Sequence, residues 1–426
     1  MLTAITGINW GDEGKGRMVD LLAGQNDIVV RYQGGNNAGH TIVNPQGKFV
    51  LNLLPSGIFH EGVVNVMGGG MVVDLQHLDG EIAKLREKGV EVSPARLKIS
   101  DRATICMPYH VQQDGLEEDR LGDAKFGSTR RGIAYVYGDK YMKKAVRMGD
   151  LLHLDSLKPR LSAIAQWKNL TLTKVYGAPP IDFDELWCWV EKYAAVFAPY
   201  ICDTGEFLDE ADRAGKRILF EAQLGALRDV DFGIYPFTSS SNVISAYAPI
   251  GAGIPGRKIG RSVGAMKAYS SCVGEGPFTA EKAMTEAEKH LLREAGHEYG
   301  AATGRPRRVG PFDLVASRYG VRCQGADELA LTLLDVLDYM EEIPVVARYR
   351  LDGEETSRFP MGEALNRAEP VVETLPGWRC DITGCRKPAD LPENALAYIR
   401  YIEAGVGCQI RYVSVGPGRE QIVIMD

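Results

Sequence analysis

Ala4-Ile5-Thr6-Gly7-Ile8, then Trp10-Gly11-Asp12-Glu13-Gly14-Lys15-Gly16-Arg17, is the stretch that sets the fold. A mostly apolar run reads as a strand, and the glycine-rich segment after it reads as a loop leading into a helix. That arrangement aims backbone N–H groups and a helix N-terminus at phosphate. The Gly-x4-Gly-Lys-Ser/Thr spacing of the common phosphate loop is absent. Asp12 instead places a carboxylate where phosphates would sit, which is costly unless a metal or a proton transfer uses it. The loop therefore implies a nucleotide, a divalent metal and acid–base chemistry together.

Outward from this loop, β-branched runs alternate with helical patterns. Strand-like runs are Ile28–Val30, Val63–Met67, Ile218–Phe220, Val345–Ala347 and Cys408–Val415. Helical stretches are Leu75–Lys88, Phe183–Phe197, Ala280–Ala295, Glu328–Met340 and Glu393–Glu403, the last ended by Gly405. The alternation predicts an α/β fold: one large domain over 1–426, with a mostly parallel central sheet, helices on both faces and long active-site loops. The mixed, polar pattern of Lys158–Tyr176 suggests a peripheral insertion. Glycine loops that follow parallel strands would share one rim of the sheet.

Composition narrows the function classes. The chain has 426 residues, 45% hydrophobic and 25% charged, with a net charge of −7. That balance favours neither nucleic acid nor an anionic membrane surface, so any phosphate ligand must be held by local positive clusters. No apolar run approaches the ~20 residues of a membrane span. The eight cysteines are scattered, no secretory signal is apparent, and free thiols in the cytoplasm are expected. The one close pair, Cys380 and Cys385, lacks zinc-site spacing.

Four further segments carry chemistry. Gln33-Gly34-Gly35-Asn36-Asn37-Ala38-Gly39-His40-Thr41 follows a strand, and its histidine can stabilise charge on a transferring oxygen. Gly127-Ser128-Thr129-Arg130-Arg131-Gly132 sets hydroxyls and guanidinium groups beside glycine, which suits a terminal phosphate. Glu298–Arg308 carries three arginines in a glycine-containing loop, a carboxylate or phosphate clamp. Thr332-Leu333-Leu334-Asp335 ends in an acid able to accept from guanine. Each has a plainer reading as a turn, a solvated basic face or packing. A phosphate-loop kinase or GTPase switch, or an inactive nucleotide-binding protein, would explain the first loop, but neither needs both Asp12 and His40.

Gly11–Gly16, Gly35–Thr41, the 128–132 loop, Gly274-Glu-Gly-Pro-Phe278, Thr303-Gly-Arg-x-Arg307, Leu334–Asp338 and Ser414-x-Gly-Pro417 resemble adenylosuccinate synthetase, in order along the chain. The resemblance implies a cytoplasmic homodimer that joins IMP to L-aspartate, with GTP as phosphoryl donor and Mg2+ as cofactor. It implies Asp12 and His40 as catalytic residues, with Asp12 and the Gly39 carbonyl as metal ligands. GTP would meet Gly11, Glu13, Gly14, Lys15, Gly16, Arg17, Thr41, Arg307, Leu333, Asp335, Ser414 and Gly416. IMP would meet Asn37, Ala38, Ser128, Thr129, Gln223, Leu224, Ser239 and Arg305, with Lys143 reaching in from the neighbouring subunit. Aspartate would meet Ala301, Ala302, Thr303, Gly304 and Arg305.

The chain departs from the family pattern at base and donor recognition. Where the pattern has Phe-Glu-Gly-Ala-Gln-Gly, the chain has Phe220-Glu-Ala-Gln223-Leu224-Gly225, so the base-contacting glutamine falls on Leu224. Leu333 replaces the lysine expected over guanine, Lys143 replaces an arginine, Ala302 replaces a threonine and Ser239 replaces a threonine. These changes point to an alternative substrate pair: another 6-oxopurine nucleotide of the dGMP kind, or ATP as donor.

Overall fold

The computed structural model describes residues 1–44, 47–125, 127–300, 304 and 306–425. Ten strands build its central sheet: β1 (Leu2–Gly7), β2 (Ile28–Arg31), β3 (Val64–Met67), β4 (Leu97–Ser100), β5 (Ile201–Cys202), β6 (Ile218–Glu221), β7 (Arg261–Lys267), β8 (Glu328–Thr332), β9 (Ile410–Ser414) and β10 (Ile422–Ile424). Their spatial order is β10-β9-β8-β7-β1-β6-β2-β3-β4-β5. Every adjacent pair is parallel except β9 with β10. The carboxyl ends of β1, β2, β6, β7, β8 and β9 therefore fall on one rim, the ligand side of an open α/β sheet.

Burial on both faces explains the continuous apolar runs. Ala4, Val30 and Phe220 pack with Leu208 and Ala248 on one face. Ile5, Val29 and Leu219 pack with Met18, Val19 and Leu22 of helix Lys15–Ala23 on the other. Consecutive residues thus serve opposite layers, as period-two side-chain direction requires.

Two sequence-based helices are corrected. Over 328–340 the chain forms β8, a left-handed turn at Leu333 and a 3-10 turn at Leu334–Leu337. Leu329 and Leu331 face one core layer and Ala330 the opposite one, and such a doubly buried strand imitates a helix in hydrophobic pattern. Over 280–295 the segment divides into a 3-10 turn, Thr279–Ala283, and a helix, Glu286–Gly296. Thr285 starts the new helix with a reciprocal capping box to Glu288. The segment read as a peripheral insertion is helical as far as Lys174, in the 21-residue helix Leu154–Lys174, whose Leu157, Leu161, Ile164 and Ala165 join a large apolar core. The last long helix runs Glu393–Val406 and stops at Gly407.

One crossing fixes the start of the site. Helix Leu314–Gln324 lies so close to β1 that a β-carbon on Gly320 would overlap the Ile8 carbonyl. Gln324 Nε2 donates to Gly7 O at 2.9 Å, and Asn9 Nδ2 donates to Ser317 Oγ at 3.0 Å. The chain therefore leaves β1 on a fixed course into the glycine loop.

Candidate active site

The loop after β1 turns through Gly11, Asp12 and Gly14, all at positive φ (108°, 62° and 78°). Glycine takes such angles without cost, and Asp is among the few other residues that tolerate them. Glu13 holds the turn from inside. Its Oε1 accepts from Gly11 N at 2.8 Å and Asn9 N at 3.1 Å, and its Oε2 accepts from Lys15 Nζ at 2.5 Å. A β-carbon at Gly7 would sit 2.6 Å from Glu13 Oε2, and one at Gly225 would collide with Asn9 and Glu13. The Glu13 side chain is thus spent on the loop, leaving its backbone to face a ligand. Asp12, by contrast, is about a third exposed, and its Oδ2 lies 3.2 Å from Arg307 Nε.

The other rim loops converge on this one. Thr332 Oγ1, at the end of β8, donates to Glu13 O at 2.9 Å. Arg17 reaches Ser414 Oγ and the Gly418 carbonyl beyond β9. Burial lowers the Arg17 pKa to about 10, opposed by Asp335. Leu224, after β6, lies against Gly11: a β-carbon there would be 3.6 Å from Leu224 Cδ2. Gly16 meets His40 of the loop after β2.

His40 is anchored from behind the rim. It is 6% exposed, and its Nδ1 lies 2.5 Å from Glu221 Oε1 at the end of β6. Glu221 is fully buried and also accepts from Ser56 N and Ser56 Oγ, each at 2.7 Å. Burial pushes His40 below its ordinary pKa, with Glu221 opposing. Burial alone would raise Glu221, but His40, Arg31 and Ser56 hold it below the usual carboxylate range. The opposite ring nitrogen, His40 Nε2, is buried with no hydrogen-bond partner among the described residues. Asn36 Oδ1 and Asp335 Oδ1 are in the same condition. Buried polar atoms are almost always paired, so three orphans around one rim suit a polar ligand.

The sequence-derived residues distribute as follows. Asn37 and Ala38 are half-buried; Asn37 Oδ1 accepts from Gly35 N at 3.3 Å, and Ala38 O from Asn52 Nδ2 at 2.9 Å. Ser128 Oγ donates to Asp114 Oδ1 at 2.7 Å, while Thr41, Thr129 and Lys143 are exposed. Lys143 follows helix Ile133–Tyr141 with φ 62°. Ser239 shares a 3.0 Å contact with Ser241, Gly304 is exposed and Gly416 is buried. Ala301, Ala302, Thr303 and Arg305 lie outside the described residues. Gln223 is buried completely: its Nε2 donates to Gly35 O at 2.8 Å and Asn52 O at 3.2 Å. Its side chain therefore braces the His40 loop, with a β-carbon on Gly34 falling 2.4 Å from Gln223 Oε1. Leu224 and Leu333 both hold left-handed backbone, φ 59° and 60°. Leucine pays roughly 1–2 kcal/mol for that conformation.

Sequence reasoning gave no role to Glu221, Thr332 or Glu298. The signal for Glu221 was present: an acid closing the buried run Ile218-Leu219-Phe220.

Mg2+ is a hard cation that takes oxygen donors. Asp12 offers a carboxylate that no hydrogen bond within its own loop consumes, and Gly39 offers a backbone carbonyl beside His40, so the donor set fits. All eight cysteines are unpaired. No helix among the described residues is long and apolar enough to cross a membrane.

The fold and this rim define an α/β enzyme with a glycine-rich loop at its strand ends. Residues 4–423 match the adenylosuccinate synthetase family model, and the chain belongs to that family, a group of C–N bond-forming ligases. It is 44% identical to the adenylosuccinate synthetase of Carboxydothermus hydrogenoformans over 99% of this chain and 98% of that one. It is 45% identical to the one from an Exiguobacterium species over 99% and 97%. The fully ligated adenylosuccinate synthetase of Plasmodium falciparum superposes with a TM-score of 0.93 at 33% identity, each chain fully covered. A cyanophage S-2L succinoaminodeoxyadenylate synthetase shares the fold, with a TM-score of 0.61 at 18% identity over 99% of this chain and 94% of that one.

Proposed function

We propose that the protein joins IMP to L-aspartate, driven by GTP, to give adenylosuccinate, GDP and phosphate through a 6-phosphoryl intermediate. The observation that carries this reading is the Asp12–His40 pair: two rim loops brought into contact at Gly16, with His40 anchored on Glu221.

Asp12 takes the proton from purine N1, which raises electron density on O6 for attack on the γ-phosphorus. The Gly11–Arg17 backbone and Lys15 hold the donor phosphates, and His40 Nε2 faces the transferring group. Incoming phosphate charge draws His40 toward the imidazolium form, which Glu221 stabilises. The aspartate amine then displaces phosphate at C6. Asp12 and the Gly39 carbonyl would hold Mg2+, which when bound offsets phosphate charge. Asp335 reads guanine, Ser128 and Thr129 take the IMP phosphate, and the 300–307 loop takes aspartate. The protein acts as a homodimer in which Lys143 serves the neighbouring site.

Asp12→Asn tests this reading. Turnover should vanish while guanine-nucleotide binding stays measurable by calorimetry; an active Asp12→Asn enzyme overturns the proton-abstraction role.

A second reading, of altered base preference, draws on Leu224 and Leu333. Both leucines stand at base-recognition positions in strained backbone, an arrangement that tends to persist where function demands it. Steady-state rates with IMP or dGMP, each paired with GTP or ATP, separate the two readings. Full activity with IMP and a strong GTP preference retire the second.

A further inference from the structure

Behind the rim lies a charge cluster in which only Arg307 has an assigned role. Glu298 is completely buried. Its Oε1 accepts from Lys267 Nζ at 2.5 Å and from the Tyr269 hydroxyl, and its Oε2 accepts from Arg307 Nη1 at 2.8 Å. Lys267 is in turn fixed by donating to Ser271 Oγ at 2.6 Å. The Arg307 main chain is fixed too, its N–H donating to Glu298 O at 2.9 Å. Tyr269 approaches because residue 296 is glycine: a β-carbon there would fall 3.2 Å from both Glu298 Cγ and Tyr269 Cζ. Lys267 and Arg307 hold the Glu298 carboxyl below its usual range although burial alone would raise it.

The charge count is informative. Glu298 neutralises one of its two cations, Lys267 or Arg307, and the second positive charge is left to Asp12, 3.2 Å from Arg307 Nε and partly in solvent. Any anion that replaces Asp12 against Arg307 conserves the balance, while Arg307 Nη1 stays on Glu298.

We propose that Glu298 is a positioning residue, a fixed pivot that lets Arg307 exchange Asp12 for the phosphate oxygens of the nucleotide donor. The Arg307–Asp12 ion pair is then a self-contact that nucleotide must displace, and displacing it frees Asp12 as a base. This rests on the proposed use of a nucleoside triphosphate donor.

Calorimetry without magnesium tests the exchange, with GDP and ADP as probes. Asp12→Asn removes the competitor, so the better-bound probe should tighten by about fivefold or more. The gain should disappear in Asp12→Asn combined with Arg307→Ala. Unchanged or weaker binding by Asp12→Asn overturns the exchange, as does a gain that survives loss of Arg307. Failure of the wild-type protein to bind either probe, with or without magnesium, overturns the donor reading on which it rests. Glu298→Gln leaves the buried Lys267 without a counter-charge and invites misfolding, so Glu298→Gln with Lys267→Met is measured beside it. The paired variant should recover wild-type melting yet keep a donor KM raised by about tenfold, with KM for the purine nucleotide unchanged. A donor KM restored along with stability would reduce Glu298 to a structural role.

Discussion

Gly16 and His40 pack so tightly that a β-carbon on Gly16 would stand 2.8 Å from the His40 β-carbon and 3.3 Å from its α-carbon. Gly16 belongs to the helix that follows β1, and His40 ends the loop that follows β2. Gly16→Ala must therefore move the imidazole or the glycine loop after β1. A shift of an ångström at a reacting centre costs up to about a hundredfold in rate. We expect kcat to fall by that order while Tm drops only a few degrees, read by steady-state assay and calorimetric melting.

Glu221→Gln keeps the shape of the His40 anchor and removes its charge. Loss of a partner that orients a functional histidine costs about 10–100-fold. The expected result is that loss in kcat, with KM values for all three substrates within about threefold. An unchanged kcat would mean that His40 needs no carboxylate behind it.

Asp313 gives a pH signature of folding. It caps helix Leu314–Gln324 by accepting from Ala316 N at 2.9 Å, accepts from the Tyr349 hydroxyl at 2.6 Å, and is raised by burial from 3.8 to about 6. The folded protein thus keeps a proton between pH 4 and 6 that the unfolded chain releases. Its contribution is full below that window and is lost as pH rises through 6, by up to ~3 kcal/mol. Asp313→Asn retains a cap and carries no charge. The difference in Tm between wild type and variant should change across pH 4–6 and be flat from 7 to 8.

Lys143 tests the proposed dimer. Lys143→Ala and Asp12→Asn should each be nearly inactive at low IMP. Mixing them under subunit exchange should restore about a quarter of wild-type activity, because half the dimers are mixed and each carries one intact site. Absence of recovery, with exchange verified by mass, removes Lys143 from the neighbouring site.

The strand-to-loop grammar was legible in the sequence. The runs at Ala4–Ile8 and Ile28–Val30 became strands, and their glycine loops met on one rim, because parallel strands leave a single possible side. Asp12 and His40 stood out because an acid and a histidine among glycines serve no core. What stayed hidden depends on distant partners. Glu221 gains its role only when β6 lies beside β2, 190 residues apart in chain terms at Ile28 and Ile218. Glu298 and Lys267 pair across 31 residues. Glu328–Met340 misled because a strand buried on both sides and a helix share one hydrophobic signature.

The glycines that end β1 and follow β6 have a further consequence. With no side chains at Gly7 and Gly225, the Glu13 carboxylate is keyed into the sheet itself, and the proposed nucleotide cradle becomes part of a buried layer. Such a cradle is a mould already cast, so adaptation to a new base must come from residues that border it. Leu224 is one of these, yet its backbone carbonyl borders the space left open at Gly7. A change in the choice of purine would thereby be felt, through one shared wall, at the proposed phosphate site.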